Sequence, residues 1–129
     1  MKKLILFLSI LMSISTAMGQ DVEKDAISEA IESSDPQKIA VYFMPSVDLT
    51  VESAEGVYSK DQAEMIIRRF FEDHVPKGFA LKHQGKSKLD DYYYIGTLKT
   101  EKGEYRLTFF LKKTEDQFRI KQMRIESTP

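Results

Sequence analysis

Two histidines, six tyrosines and no cysteine bound the chemistry that this 129-residue sequence can support. Without a thiol there is no cysteine nucleophile, no thiolate metal site and no disulfide. His74 and His83 lack the His/Asp/Glu spacing of a metalloenzyme around them, so neither a metal nor a cofactor is expected. Acid–base catalysis would need a carboxylate of raised pKa beside a tyrosine donor. The parts available for it are Asp48 with Tyr42 or Tyr94, or His83 alone as a base. Alternation places Asp48 on the polar face of its own strand, and the remaining acids fall in turns or on solvated helix faces. The chain therefore carries no catalytic signature, and the reading leans away from an enzyme.

The stretch from Tyr92 to Ile125 must position most of these groups, because it reads as three long antiparallel strands in one meander. With Lys102-Gly103 as a two-residue loop, Glu101 lies opposite Glu104, Leu98 opposite Leu107, Gly96 opposite Phe109 and Tyr94 opposite Leu111. One face becomes apolar. Glu115-Asp116 forms the next loop and brings Leu111 to Ile120. Uninterrupted pairing beyond that point would turn Met123 and Ile125 outward, so a bulge is expected near Lys121-Gln122. Phe79 to Leu89 reads as a preceding strand with Phe79, Leu81, His83 and Gly85 on one face. If Asp90-Asp91 is its loop, Gly85 meets Gly96 and His83 meets Leu98.

Upstream, Val22, Ala26, Ile27, Ala30 and Ile31 form a narrow apolar stripe at helical spacing. Asp35-Pro36 is a cap followed by a proline at the first helical position, and opens a short helix expected to reach Phe43. Val47, Leu49 and Val51 alternate with Ser46, Asp48 and Thr50 as in a half-buried strand, with which Val57-Tyr58 can pair. Ser59 and Gln62 form a capping box, and a helix to about His74 should lay Ala63, Ile66, Ile67, Phe70 and Phe71 across the sheet.

Lys2 and Lys3 precede an apolar run from Leu4 to Met12, and Ala17-Met18-Gly19 presents small residues where a signal peptidase reads. Residues 1–19 are therefore expected to be an export signal, leaving one domain over 20–129 in the periplasm or the medium. The run is well short of the ~18 residues that span a bilayer, so no membrane span is expected after cleavage. Loss of Lys2 and Lys3 takes 19 basic residues to 17 against 20 acidic, a net charge near −3. No nucleic-acid partner is expected, since such domains are clearly basic.

Two helices, a short strand, a capped helix and four long antiparallel strands is an element order that resembles the nuclear-transport-factor-2-like superfamily. The resemblance implies an α+β cone, in which N-terminal helices pack on a strongly curved antiparallel sheet. An exported single domain with the run Phe43-Met44-Pro45-Ser46-Val47-Asp48-Leu49 and the late strand Tyr105-Arg106-Leu107-Thr108-Phe109-Phe110 looks like the secreted bacterial family called domain of unknown function 4783. That family brings no established activity.

The resemblance implies two surfaces. The open end of such a cone often holds a ligand, and Tyr42, Phe43, Leu49, Phe70, Phe79, His83, Tyr94 and Phe109 could line it for a small apolar ligand. The competing reading is a core filled by its own aromatics. The outer face of the sheet carries Ile95 opposite Phe110 with Tyr93 beside them, inside a rim that includes Lys86, Lys88, Lys112 and Lys121. Relatives commonly dimerise through this face, so the resemblance implies a possible homodimer; the competing reading is scattered surface apolars on a solvated sheet. The expected function is a non-catalytic binding or dimerisation domain, and the alternative is a small isomerase-, dehydratase- or cyclase-like enzyme using the cone. Cleavage after Gly19 predicts a chain beginning at Gln20. An intact mass that starts at Met1, measured on protein purified from its own host, would overturn the export reading.

Overall fold

The computed structural model describes residues 19–89, 91–115 and 117–128. The expected signal segment up to residue 18 lies outside them, as do Asp90 and Asp116 of two expected loops. Among the described residues three helices and six strands follow in order: α1 (Gly19–Glu32), α2 (Pro36–Ala40), β1 (Phe43–Val51), β2 (Ala54–Ser59), α3 (Lys60–Asp73), β3 (Pro76–Lys86), β4 (Tyr92–Thr100), β5 (Gly103–Thr114) and β6 (Gln117–Ser127).

Local chemistry accounts for the helix starts. The Asp35 carboxylate accepts from the backbone N–H of Gln37 and Lys38, with Pro36 in the first turn where its missing N–H costs nothing. At α3 both arms of the capping box form, Ser59 Oγ accepting from Gln62 N and Gln62 Oε1 from Ser59 N. Helix α2 stops at Ala40, short of the expected Phe43. The reason is tertiary: Ile120 N donates to Tyr42 O at 2.7 Å, and Phe43 pairs with Ile120, so β6 draws the chain into a strand.

The six strands form one curved sheet in the order β2-β1-β6-β5-β4-β3, antiparallel except where β1 runs parallel to β6. Its β5–β6 register is the expected one. Leu111 lies opposite Ile120 and Phe110 opposite Gln122, so Lys121 is the extra residue of a bulge, and Met123 and Ile125 turn into the core.

The β4–β5 register differs from the expected one by two residues. Thr100 pairs with Gly103, which leaves Glu101-Lys102 as the loop and sets Leu98 opposite Tyr105, Gly96 opposite Leu107 and Tyr94 opposite Phe109. Gly103 supplies the positive φ of +124° that the turn demands. Thr100 Oγ1 locks it by donating to Gly103 O and accepting from Lys102 N. A slip of two keeps every side chain on its face, so the expected core survives the wrong pairing.

On β3 the correction is larger. The strand ends at Lys86 opposite Tyr92, and Ser87 closes the loop to Asp91 by donating its N–H to Asp91 O and accepting two backbone N–H groups at Oγ. Phe79 faces Leu98 and Leu81 faces Gly96, but a bulge then leaves Lys82 unpaired and sets His83 opposite Ile95 and Gly85 opposite Tyr93. His83 is thereby turned to the outer side instead of meeting Leu98. The two glycines do not pair.

The core fills the space between the helices and the inner face of the sheet, from Ile27, Ile39 and Ile67 to Leu107, Leu111 and Met123, all essentially inaccessible. Each such side chain is worth roughly 1.5–3 kcal/mol on burial. A Cβ at Gly96 would stand 2.7 Å from the carbonyl oxygen of Ala80 and 2.6 Å from the Phe79 ring, whereas one at Gly78 meets nothing within 4 Å. Gly96→Ala should therefore cost about 1–3 kcal/mol in urea unfolding and Gly78→Ala none. Equal effects would contradict this packing.

Candidate functional site

The eight residues expected to line a cone cavity do not come together as one. Phe43, Leu49, Phe70, Tyr94 and Phe109 are core side chains, the last two stacked at 5.1 Å between ring centroids. Phe79 is half-buried over Gly96. Tyr42 edges a separate cleft of ≈ 300 Å³ between α1 and α2, beside Glu29, Ser33 and Lys38. His83 is exposed on the outer side of the sheet. Aromatics thus occupy the volume in which a ligand was expected.

Nor are the acid–base parts assembled. Asp48 is exposed between Val57 of β2 and Gln122 of β6, on the outer face, while Tyr94 lies on the inner face. The whole thickness of the sheet separates that carboxylate from that phenol.

The outer face presents a coherent surface. Tyr93 lies directly opposite Phe110 with ring centroids 5.9 Å apart, and Ile95 is opposite Thr108 instead of Phe110 as expected. All three apolar side chains remain partly accessible. Asp91, only 3% exposed, forms an ion pair with Lys121, the bulged residue of β6. Arg124 meets Glu126 at 3.5 Å. Toward β3 the face becomes basic, with Lys82, His83 and Arg106 around a cleft of ≈ 370 Å³. Toward β2 it carries Asp48, Glu55 and Val57, which is 73% exposed. Lys86 leaves the expected rim, because the Lys82 bulge sets it opposite Tyr92 with its ammonium 5.8 Å from that ring.

One titratable cluster has no counterpart in the sequence reading. His74 stacks on Phe70 at 4.3 Å and meets Tyr105 edge-on at 5.3 Å. Its Nε2 lies 3.4 Å from Glu52 Oε1, to which Tyr105 Oη donates at 3.4 Å. Glu52 occupies the β1–β2 turn at φ +53°, and its N–H is held by Ile125 O. Burial raises the Tyr105 phenol above its ordinary value, and the Glu52 charge and hydrogen bond add to the shift. Glu23 of α1 is also raised, by burial, against the lowering effects of the Phe118 N–H and the Arg119 charge. No group of three or more His, Asp or Glu able to hold a metal occurs among the described residues.

A curved six-stranded sheet around helices defines a nuclear-transport-factor-2-like domain. Residues 24–126 match the family described as Domain of unknown function (DUF4783), and the chain belongs to that family. A member from Bacteroides ovatus is 30% identical, with 81% of this chain and 94% of that one covered at a TM-score of 0.75. One from Bacteroides uniformis is 28% identical over 81% and 96%, again at 0.75. At 19% identity, a Xanthomonas campestris protein described as a calcium/calmodulin dependent protein kinase II association domain shares the fold, with 91% of each chain covered at a TM-score of 0.61. Among curated proteins none matches.

Because the folded Tyr105 value lies above the ordinary 10.0, folding holds that proton more tightly than the unfolded chain does. The stability tied to it is complete below pH 10 and is lost as pH rises through the folded value. Glu52→Gln should bring the tyrosinate absorbance titration of Tyr105 part of the way back, with the burial contribution remaining. An unchanged titration curve would remove Glu52 as a cause.

Proposed function

We propose that this chain is an exported interaction domain whose outer sheet face mates with a second copy. The observation that carries it is the composition of that face: an apolar centre of Tyr93, Ile95 and Phe110 between a basic end and an acidic end. Partly exposed aromatics surrounded by charge are the anatomy of a protein interface. A two-fold axis along the strands points the basic β3 end of one copy toward the acidic β2 end of the other, the self-complementary arrangement that an isologous dimer requires.

The filled interior favours this reading over a small apolar ligand within the cone. An isomerase-, dehydratase- or cyclase-like enzyme would need Asp48 to cross the sheet to reach Tyr94. Export rests on the basic pair, apolar run and small residues at the N-terminus, and the sequence after cleavage keeps no long apolar segment. No helix among the described residues is long and apolar enough to cross a membrane.

Phe110→Glu sets a charge at the centre of the proposed contact, where its desolvation would cost several kcal/mol. Sedimentation velocity should give a dimer for the parent protein and a monomer for this variant, with unchanged circular dichroism. A parent protein that sediments as a monomer at all accessible concentrations would sink the proposal.

A further inference from the structure

We infer that the basic cleft at the β3 end of the outer face binds the oxyanion of a small ligand, a carboxylate or a sulfate. It goes beyond the assembly reading in naming a different class of partner for the basic end, for which a bound oxyanion and the acidic β2 end of a second copy would compete.

Successive side chains of a regular strand point to opposite faces. The β3 bulge breaks that rule, because the unpaired Lys82 and its neighbour His83 both line the cleft. Re-aiming side chains in this way is a recurrent use of bulges. Arg106 closes the opposite wall from β5, paired across from Thr97 of β4, so β3 and β5 converge their basic groups on one concavity across β4. Thr97 adds a hydroxyl, Ile95 an apolar floor, and no carboxylate lines the cleft among the described residues.

Among the described residues none of the three basic side chains has an ion-pair partner. Glu126, the acid paired with Arg106 across β5 and β6, is turned to Arg124 at 3.5 Å. A concave site lined by one sign of charge concentrates counter-ions, and a guanidinium presents parallel N–H donors that fit a carboxylate or sulfate bidentately. The volume of ≈ 370 Å³ lies within the range of small-molecule sites. Ile95 adds a surface against which the ring of an organic acid can rest.

Amide NMR of the labelled mature protein at constant ionic strength tests this with three probes: sodium glucuronate, sodium sulfate and uncharged glucose. Saturable shifts confined to Lys82, His83, Thr97 and Arg106 are expected with an oxyanion and none with glucose. Arg106→Gln should weaken the binding on the order of tenfold, the loss of one charge-assisted bidentate contact. Response to glucuronate alone identifies an organic acid, and an equal response to sulfate identifies the bare oxyanion. Phe110→Glu, which tests the assembly reading and frees the cleft from a second copy, should keep or strengthen these shifts. Non-saturating drift, saturable shifts unaffected by Arg106→Gln and Lys82→Gln together, or their loss in Phe110→Glu would each overturn the inference.

Discussion

The register of β6 is the constraint on which the rest of the structure depends. It is paired on both sides, antiparallel to β5 and parallel to β1. The extra residue at Lys121 corrects its phase halfway along, so that Ile120 before the bulge and Met123 and Ile125 after it all face inward. An unbulged strand would put two of those three in water. β1 is fastened to it at both ends: Ile120 N donates to Tyr42 O where β1 begins, and Glu52 N donates to Ile125 O just past its end. Arg119 also donates to Val41 O, at 2.6 Å. These bonds place the β1–β2 hairpin, and through it the start of α3.

The same attachment explains a strained residue. Glu52 adopts φ +53°, a region that costs a residue with a Cβ on the order of 1 kcal/mol. Its backbone bond to Ile125 and its side-chain contacts with His74 and Tyr105 hold it there. The hairpin tip is thereby tied to the C-terminal end of α3, where His74 caps the helix and stacks on Phe70. Strain maintained by surrounding contacts marks a position where the side chain matters more than turn propensity.

The two faces of the sheet divide the labour. The inner one is spent on stability, with Tyr94, Phe109 and Met123 packed against the helices. The outer one keeps aromatic rings partly accessible and separates its charges by sign toward the two edges. The β3 bulge contributes to that face by moving His83 out of the expected core and beside Lys82. A filled cone and a differentiated outer face together direct the functional reading to the surface.

What the sequence by itself determined is what neighbouring residues decide among themselves. Ser59 with Gln62 and Asp35 with Pro36 set the helix starts through their own side-chain to backbone bonds. The apolar alternation of β1 and β6 fixed which residues face inward, and even required the bulge at Lys121, because only a phase change buries Met123 and Ile125 together with Ile120. The two-residue choice between Lys102-Gly103 and Glu101-Lys102 stayed invisible, since both registers bury the same face. Only the tertiary structure decided the parallel β1–β6 pair, the Lys82 bulge that turned His83 outward, and the meeting of Glu52 with Tyr105, 53 residues apart. Each depends on which strand or turn lies alongside in space, and alternation along one strand carries no record of its neighbour.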